Sequence, residues 1–136
     1  MAGPRELEVS LRVTHPYVDP AVITAELGME PDVVHRTGDP RVAPKGTQLQ
    51  GVHSQSYWSC RVQMEAMRLP EIIARTNAQL LKKAAFLEKL TETGGKLEYF
   101  VGWYPSPHAG ETLDWALLEQ CGRLRVNLAF DVYGGK

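Results

Sequence analysis

His35, Arg36, Asp39, Arg41, Lys45 and His53 gather in one connection running from Met29 to Gln55. Connections beyond ~12–15 residues are uncommon in compact domains and are usually functional or disordered. The planar forks of Arg36 and Arg41 suit a carboxylate or a phosphate. With His35, Asp39 and Trp58 they define a candidate loop site, which gives the alternative expectation of a small-molecule or anion-binding protein or an enzyme that uses the 29–55 loop. A plainer reading is favoured, in which Asp39 holds its own Gly38-Asp39-Pro40 turn and the arginines stay solvated or pair with nearby acids. Glu30, Asp32 and Asp39 balance Arg36, Arg41 and Lys45. The segment is therefore not a basic arm.

Other reactive residues carry less. His15, His35, His53 and His108 show no His-x-His or His-x-x-x-His spacing, and no Cys-x-x-Cys accompanies them. The expectation is no metal site and no cofactor. Cys60 falls between Trp58 and Val62 on an inward stripe, which makes it a buried thiol rather than a nucleophile. Cys121 closes a helix. Glu111 and Asp114 read as charges at a helix start. The chain has no dinucleotide fingerprint, P-loop, nucleophile elbow or His-Glu-x-x-His, so no residue is assigned as catalytic.

These side chains are positioned by strands and helices that alternate along the chain. Leu7, Val9, Leu11 and Val13 point one way, and Glu6, Glu8, Ser10, Arg12 and Thr14 the other, which predicts a half-buried strand. Leu124, Val126, Leu128, Phe130 and Val132 repeat the pattern near the end. Tyr57 to Met64 and Leu97 to Tyr104 supply two further strands. A first helix starts at Asp19-Pro20, a capping residue followed by the residue best tolerated at the first helical position, and stops at Gly28. Val22, Ile23 and Leu27 are its inward residues. A second spans Pro70 to about Thr93, with Leu69, Ile73, Thr76, Leu80, Ala84, Leu87 and Thr91 in one stripe. A third runs from Thr112 to Gly122. Val33-Val34-His35 suits a short extra strand.

The expected order is β-α-β-α-β-α-β. The clean polar faces of the first and last strands argue against a sheet buried on both sides. We therefore expect an α+β fold in two layers, a four-stranded, largely antiparallel sheet with helices on one face only. Its uncovered face would display Arg12, Tyr57, Arg61, Phe100, Tyr104, Arg125 and Tyr133, and the Trp103-Tyr104-Pro105-Ser106-Pro107 loop would shape its rim. Rings beside arginines suit protein contact, either with another protein or in self-association. Nucleic acid is disfavoured, because Glu6, Glu8, Glu98 and Asp131 share that face.

The motifs also carry a family likeness. Asp19-Pro20-x-x-Ile23-Thr24-x-x-Leu27-Gly28-x-x-Pro31, Arg36-x-Gly38-Asp39-Pro40, Ser56-x-Trp58-Ser59 and Asp131-x-Tyr133 resemble the bacterial family catalogued as domain of unknown function 4279. The resemblance spans residues 1–136 as a single domain, with 29–55 as its long loop. It implies a small bacterial α+β domain and supplies no activity or catalytic residues. Some small families of this kind act as immunity proteins that neutralise toxins, an analogy of size and setting.

Length and composition set the outer bounds. The chain has 136 residues, 43% hydrophobic and 23% charged, which is globular composition. Net charge is −1 and the isoelectric point about 6.4, so bulk attraction to nucleic acid or an anionic membrane is absent. No segment reads as a membrane span. Two cysteines and an acidic, alternating N-terminal segment fit a cytoplasmic protein. The combined expectation is a non-catalytic protein-binding module.

Overall fold

A computed structural model describes residues 7–62, 67–104 and 110–134. Its elements in chain order are β1 (Leu7–His15), α1 (Pro20–Leu27), β2 (Val33–His35), β3 (Pro40–Val42), β4 (Gln48–Val52) and β5 (Ser56–Arg61). They continue with α2 (Leu69–Leu81), α3 (Ala84–Glu92), β6 (Lys96–Trp103), α4 (Trp115–Leu124) and β7 (Val126–Val132). The strictest alternation in the sequence occupies the centre of the sheet. Val9, Leu11 and Val13 of β1 are buried on one face, and β1 pairs antiparallel with β5 on one side and β6 on the other.

The sheet is larger than expected, and mixed. It has five strands in the order β2-β5-β1-β6-β7, and β3 and β4 form a separate two-stranded hairpin. β2 pairs antiparallel with β5, whereas β7 runs parallel to β6. The parallel pair follows from α4, which links β6 to β7 as a crossover rather than a hairpin. The hairpin escaped the alternation reading because every residue of β3 and β4 is exposed. The end of the predicted Tyr57–Met64 strand, at Gln63 and Met64, lies outside the described residues.

All four helices lie against the same face. Trp58, Tyr99, Leu97 and Val101 meet Ile23 of α1, Ile72, Ile73 and Leu80 of α2, Leu87 and Leu90 of α3, and Leu117, Cys121 and Leu124 of α4 in one buried cluster. Two hydrogen bonds satisfy polar groups inside it. Trp58 Nε1 donates to Thr24 Oγ1 at 3.0 Å, and Tyr99 Oη donates to Asn77 Oδ1 at 2.6 Å. Burial in this cluster drives the Tyr99 phenol far above its ordinary range, so it stays a neutral donor.

The local signals worked where they were chemical. Asp19 Oδ1 caps α1 by accepting from Ala21 N, and Gly28 closes it at φ 66°. Val22, expected inward, is exposed, so Ile23 anchors this helix. The single predicted helix over 70–93 is two. The Lys83 N–H donates to Leu80 C=O at 2.8 Å, a tightened turn that ends α2 without glycine or proline. The third helix is capped by Asp114, which accepts from Leu117 N at 2.9 Å, rather than by Thr112. It also runs past Gly122 and ends with Arg125 in the left-handed region at φ 59°. Leu124 therefore belongs to α4, not to the last strand.

One joint locks the sheet to the helices. His15 is 1% exposed; its Nδ1 accepts from Tyr17 N and Val18 N at 3.1 Å, and its Nε2 lies 2.8 Å from Thr93 Oγ1. Two backbone donors at Nδ1 place the ring proton on Nε2. A Cβ at Gly95 would stand 2.6 Å from Leu90 C=O and 2.9 Å from the His15 ring, so the α3–β6 turn needs glycine there. His15 is a structural hinge pin.

Candidate functional site

No described helix covers the reverse face of the sheet. Strand register brings Ser10, Arg12 and Thr14 of β1 beside Arg61, Ser59 and Tyr57 of β5, and beside Phe100, Glu98 and Lys96 of β6. The Arg12 guanidinium carbon stands 3.8 Å from the Phe100 ring centroid, a cation–π contact. Its Nε is buried with no hydrogen-bond partner. Arg61 is exposed beyond them, and its backbone N–H donates to Asp32 Oδ2 at 2.6 Å. At the far end Tyr104 and Tyr133 stack at 4.5 Å with planes 8° apart. The Asp131 carboxylate accepts from the Tyr133 hydroxyl and pushes that phenol up to about 12.

Four of the seven expected face residues lie in strands of the sheet, and Tyr104 and Tyr133 stand one residue past the ends of β6 and β7. Arg125 is not on the sheet. It closes α4, and its guanidinium reaches Glu88 at 3.9 Å and Thr91 Oγ1 at 3.3 Å, both on α3. Phe130 is also displaced from expectation. It lies on the helix side of β7, yet it is 45% exposed, because the helical layer does not cover that end of the strand. Residues 105–107 of the predicted rim loop, and His108, lie outside the described residues.

The loop site divides. A cleft of about 480 Å³ between α1 and β2 is lined by Asp19, Pro20, Ala21, Thr24, Ala25, Glu30, Pro31, Val34, His35, Arg36 and Asp39. His35, Arg36 and Asp39 converge on it; Arg41 and Trp58 do not. Arg41 Nη1 donates to Gln50 C=O at 3.3 Å within the β3–β4 hairpin. Trp58 is fully buried and meets the cleft only through its bond to Thr24. Asp39 Oδ2 accepts from Arg36 N at 3.0 Å, and the Arg36 guanidinium pairs with Asp19 at 2.7 Å. With Glu30 the walls carry three carboxylates against one guanidinium, already paired.

A ring stack ties the hairpin to the sheet beside this cleft. His53 stacks on His35 at 3.5 Å, and His35 stacks on Tyr57 at 5.2 Å. Desolvation, then the nearby His53, holds the His35 imidazole below its ordinary range, while Asp39 opposes. Sequence spacing missed this stack, because the residues are 18 apart and meet only through the hairpin. The signal that points to the hairpin is Pro44-Lys45-Gly46 between two polar runs, with Gly46 at φ 90°.

The cysteines offer no nucleophile. Both are free and buried, and desolvation, with Asp32 and Glu30 nearby, raises the Cys60 thiol. Among the described residues no group of three or more His, Cys, Asp and Glu side chains is placed to hold a metal ion. No helix among them is long and apolar enough to cross a membrane. A family described as Domain of unknown function (DUF4279) matches residues 5–135. The chain belongs to the DUF4279 family. No curated protein and no solved structure matches it. In this DUF4279 chain the motif residues serve the fold first. Asp19, Gly28, Asp39 and Trp58 cap a helix, end it, hold a turn and fill the core.

Proposed function

We propose that this DUF4279 chain is a non-catalytic protein-binding module that presents the uncovered face of its sheet to a partner. One observation supports it above others: all the helices pack on one side, leaving Arg12 on Phe100, Tyr57, Arg61 and the Tyr104–Tyr133 pair on the other. Rigid rings on a fixed strand scaffold lose little conformational entropy on contact, and Arg12 is already held on Phe100. The mixed charge of the face, with Glu98 opposite Arg12, gives orientation more than affinity. An immunity-type role, neutralising a toxin in the bacterial cytoplasm, is the concrete form of this reading and rests on size and setting. The test is native capture with mass spectrometry, repeated with Arg12→Glu and Tyr104→Ala. A partner retained by the parent chain and lost by both variants supports the face; a partner held equally by all three overturns it.

The cleft supports a second reading, a small-molecule site. Its three carboxylates and paired guanidinium favour a neutral or cationic compound over a phosphate. Thermal shifts with amines, but not with phosphate or acetate, would support that reading.

A further inference from the structure

We propose that β7 is a self-association edge: a second copy of this chain adds its own β7 antiparallel to the first, about a two-fold axis at Ala129. This goes beyond the reading above, because it uses the strand edge and not the sheet face. The Tyr133 N–H donates to Trp103 C=O at 2.8 Å. Backbone groups alternate along a strand, so odd-numbered residues at this end of β7 turn theirs toward β6. Leu128, Phe130 and Val132 therefore turn their N–H and C=O groups outward, where no described strand lies. The edge is also undefended. Val126–Val132 contains no lysine, arginine or proline, the usual devices against pairing, and Asp131 is its one charge.

The strand complements itself. With Ala129 on the axis, Leu128 faces the second copy's Phe130 and Val126 faces its Val132 on the helix side. On the other side Asn127 meets Asp131, so the one charge finds an amide rather than its own copy. Outward-bonding residues then pair with outward-bonding residues, as an antiparallel ladder requires. Phe130 at 45% exposure and Val132 at 53% are what such pairing would cover. Trp115 and Leu118, three residues apart on the helix packed against β7, are 77% and 45% exposed and add apolar surface beside that helix.

Sedimentation velocity on the full chain, across the micromolar range, tests this against the monomer mass of 15.2 kDa. A reversible dimer is expected, and Phe130→Lys should abolish it. Asn127 is exposed, so its variants test the register without touching the core. Asn127→Lys should tighten the dimer about tenfold and Asn127→Asp should weaken it by a similar factor, each change acting twice by symmetry. Arg12→Glu should leave it unchanged, which separates this edge from the sheet face. A monomer at every concentration, or a dimer indifferent to the Asn127 pair, overturns the proposal.

Discussion

The two edges of the sheet are built in opposite ways. β2 is three residues long, and the residues that flank it are tied to β5 and to Pro16 by backbone and side-chain hydrogen bonds. Asp32 donates its N–H to Ser59 C=O at 2.7 Å and takes the Arg61 N–H on its carboxylate. Thr37 donates its N–H to Ser56 Oγ and its hydroxyl to Pro16 C=O, and accepts from the Ser56 hydroxyl at 3.0 Å. The β3–β4 hairpin then continues beyond. β7 is seven residues long and apolar, and its outer backbone groups face no described strand. One edge strand is short, with its flanks pinned inward by polar contacts, and the other is long, with few charges along it. That contrast points to the β7 side as the place where another chain can be added.

The largest test of the contrast compares two rings on the helix side of the same sheet. Trp58 sits beside β2 and is fully buried; Phe130 sits in β7 and is 45% exposed. Trp58→Ala should cost about 3–5 kcal/mol, the range for emptying a large buried site. Phe130→Ala should cost less than about 1 kcal/mol when the protein is dilute. Denaturant unfolding of both variants checks it. Equal costs at low concentration would mean that the β7 edge is already covered.

A second test uses acid, to which the two edges should respond differently. His35 stacks between His53 and Tyr57 with Asp39 nearby, and its imidazole lies below the ordinary 6.5. The unfolded chain therefore binds its proton first. The stability from this ring is complete above pH 6.5 and is lost as pH falls below that value toward the folded-state value. The slope is at most about 1.4 kcal/mol per pH unit for one imidazole. His15 has the same sign and acts on the whole fold, so the difference between edges isolates His35. Hydrogen exchange, corrected for intrinsic rates, should show the Gly38 and His53 amides losing protection before those of β7 as pH falls below 6.5. Uniform loss would place the acid sensitivity at His15 alone.

How much of this was legible depended on whether a residue's reason was local. Asp19-Pro20 and Gly28 define α1 by capping chemistry, and the structure follows them. β1 alternates because both its neighbours bury the same face. The last strand misled at its start. Leu124 continues the alternation of Val126 and Leu128, yet it also continues the helical stripe of Leu117 and Cys121, and the helix takes it. An arginine in the left-handed region leaves no mark in the sequence, so Arg125 was misplaced with it. The cleft was half legible. His35, Arg36 and Asp39 converge, but that Arg36 is neutralised by Asp19, 17 residues earlier, is a tertiary fact.

That pairing gives the smallest and most discriminating test. Asp19 has two jobs: its Oδ1 caps α1 and its Oδ2 holds Arg36. Arg36 and Asp19 side chains are 61% and 43% exposed, so water screens their attraction. Arg36→Ala should therefore cost no more than about 1 kcal/mol, and Asp19→Ala more, by the roughly 0.5–2 kcal/mol of a lost helix cap. Asp19→Asn separates the jobs, because an amide oxygen still caps while the charge is gone. It should match Arg36→Ala in urea unfolding, and the double variant should add almost nothing further. If Asp19→Asn instead costs as much as Asp19→Ala, the ion pair holds the β2 edge in place. Charge rather than backbone hydrogen bonding would then be what distinguishes it from β7.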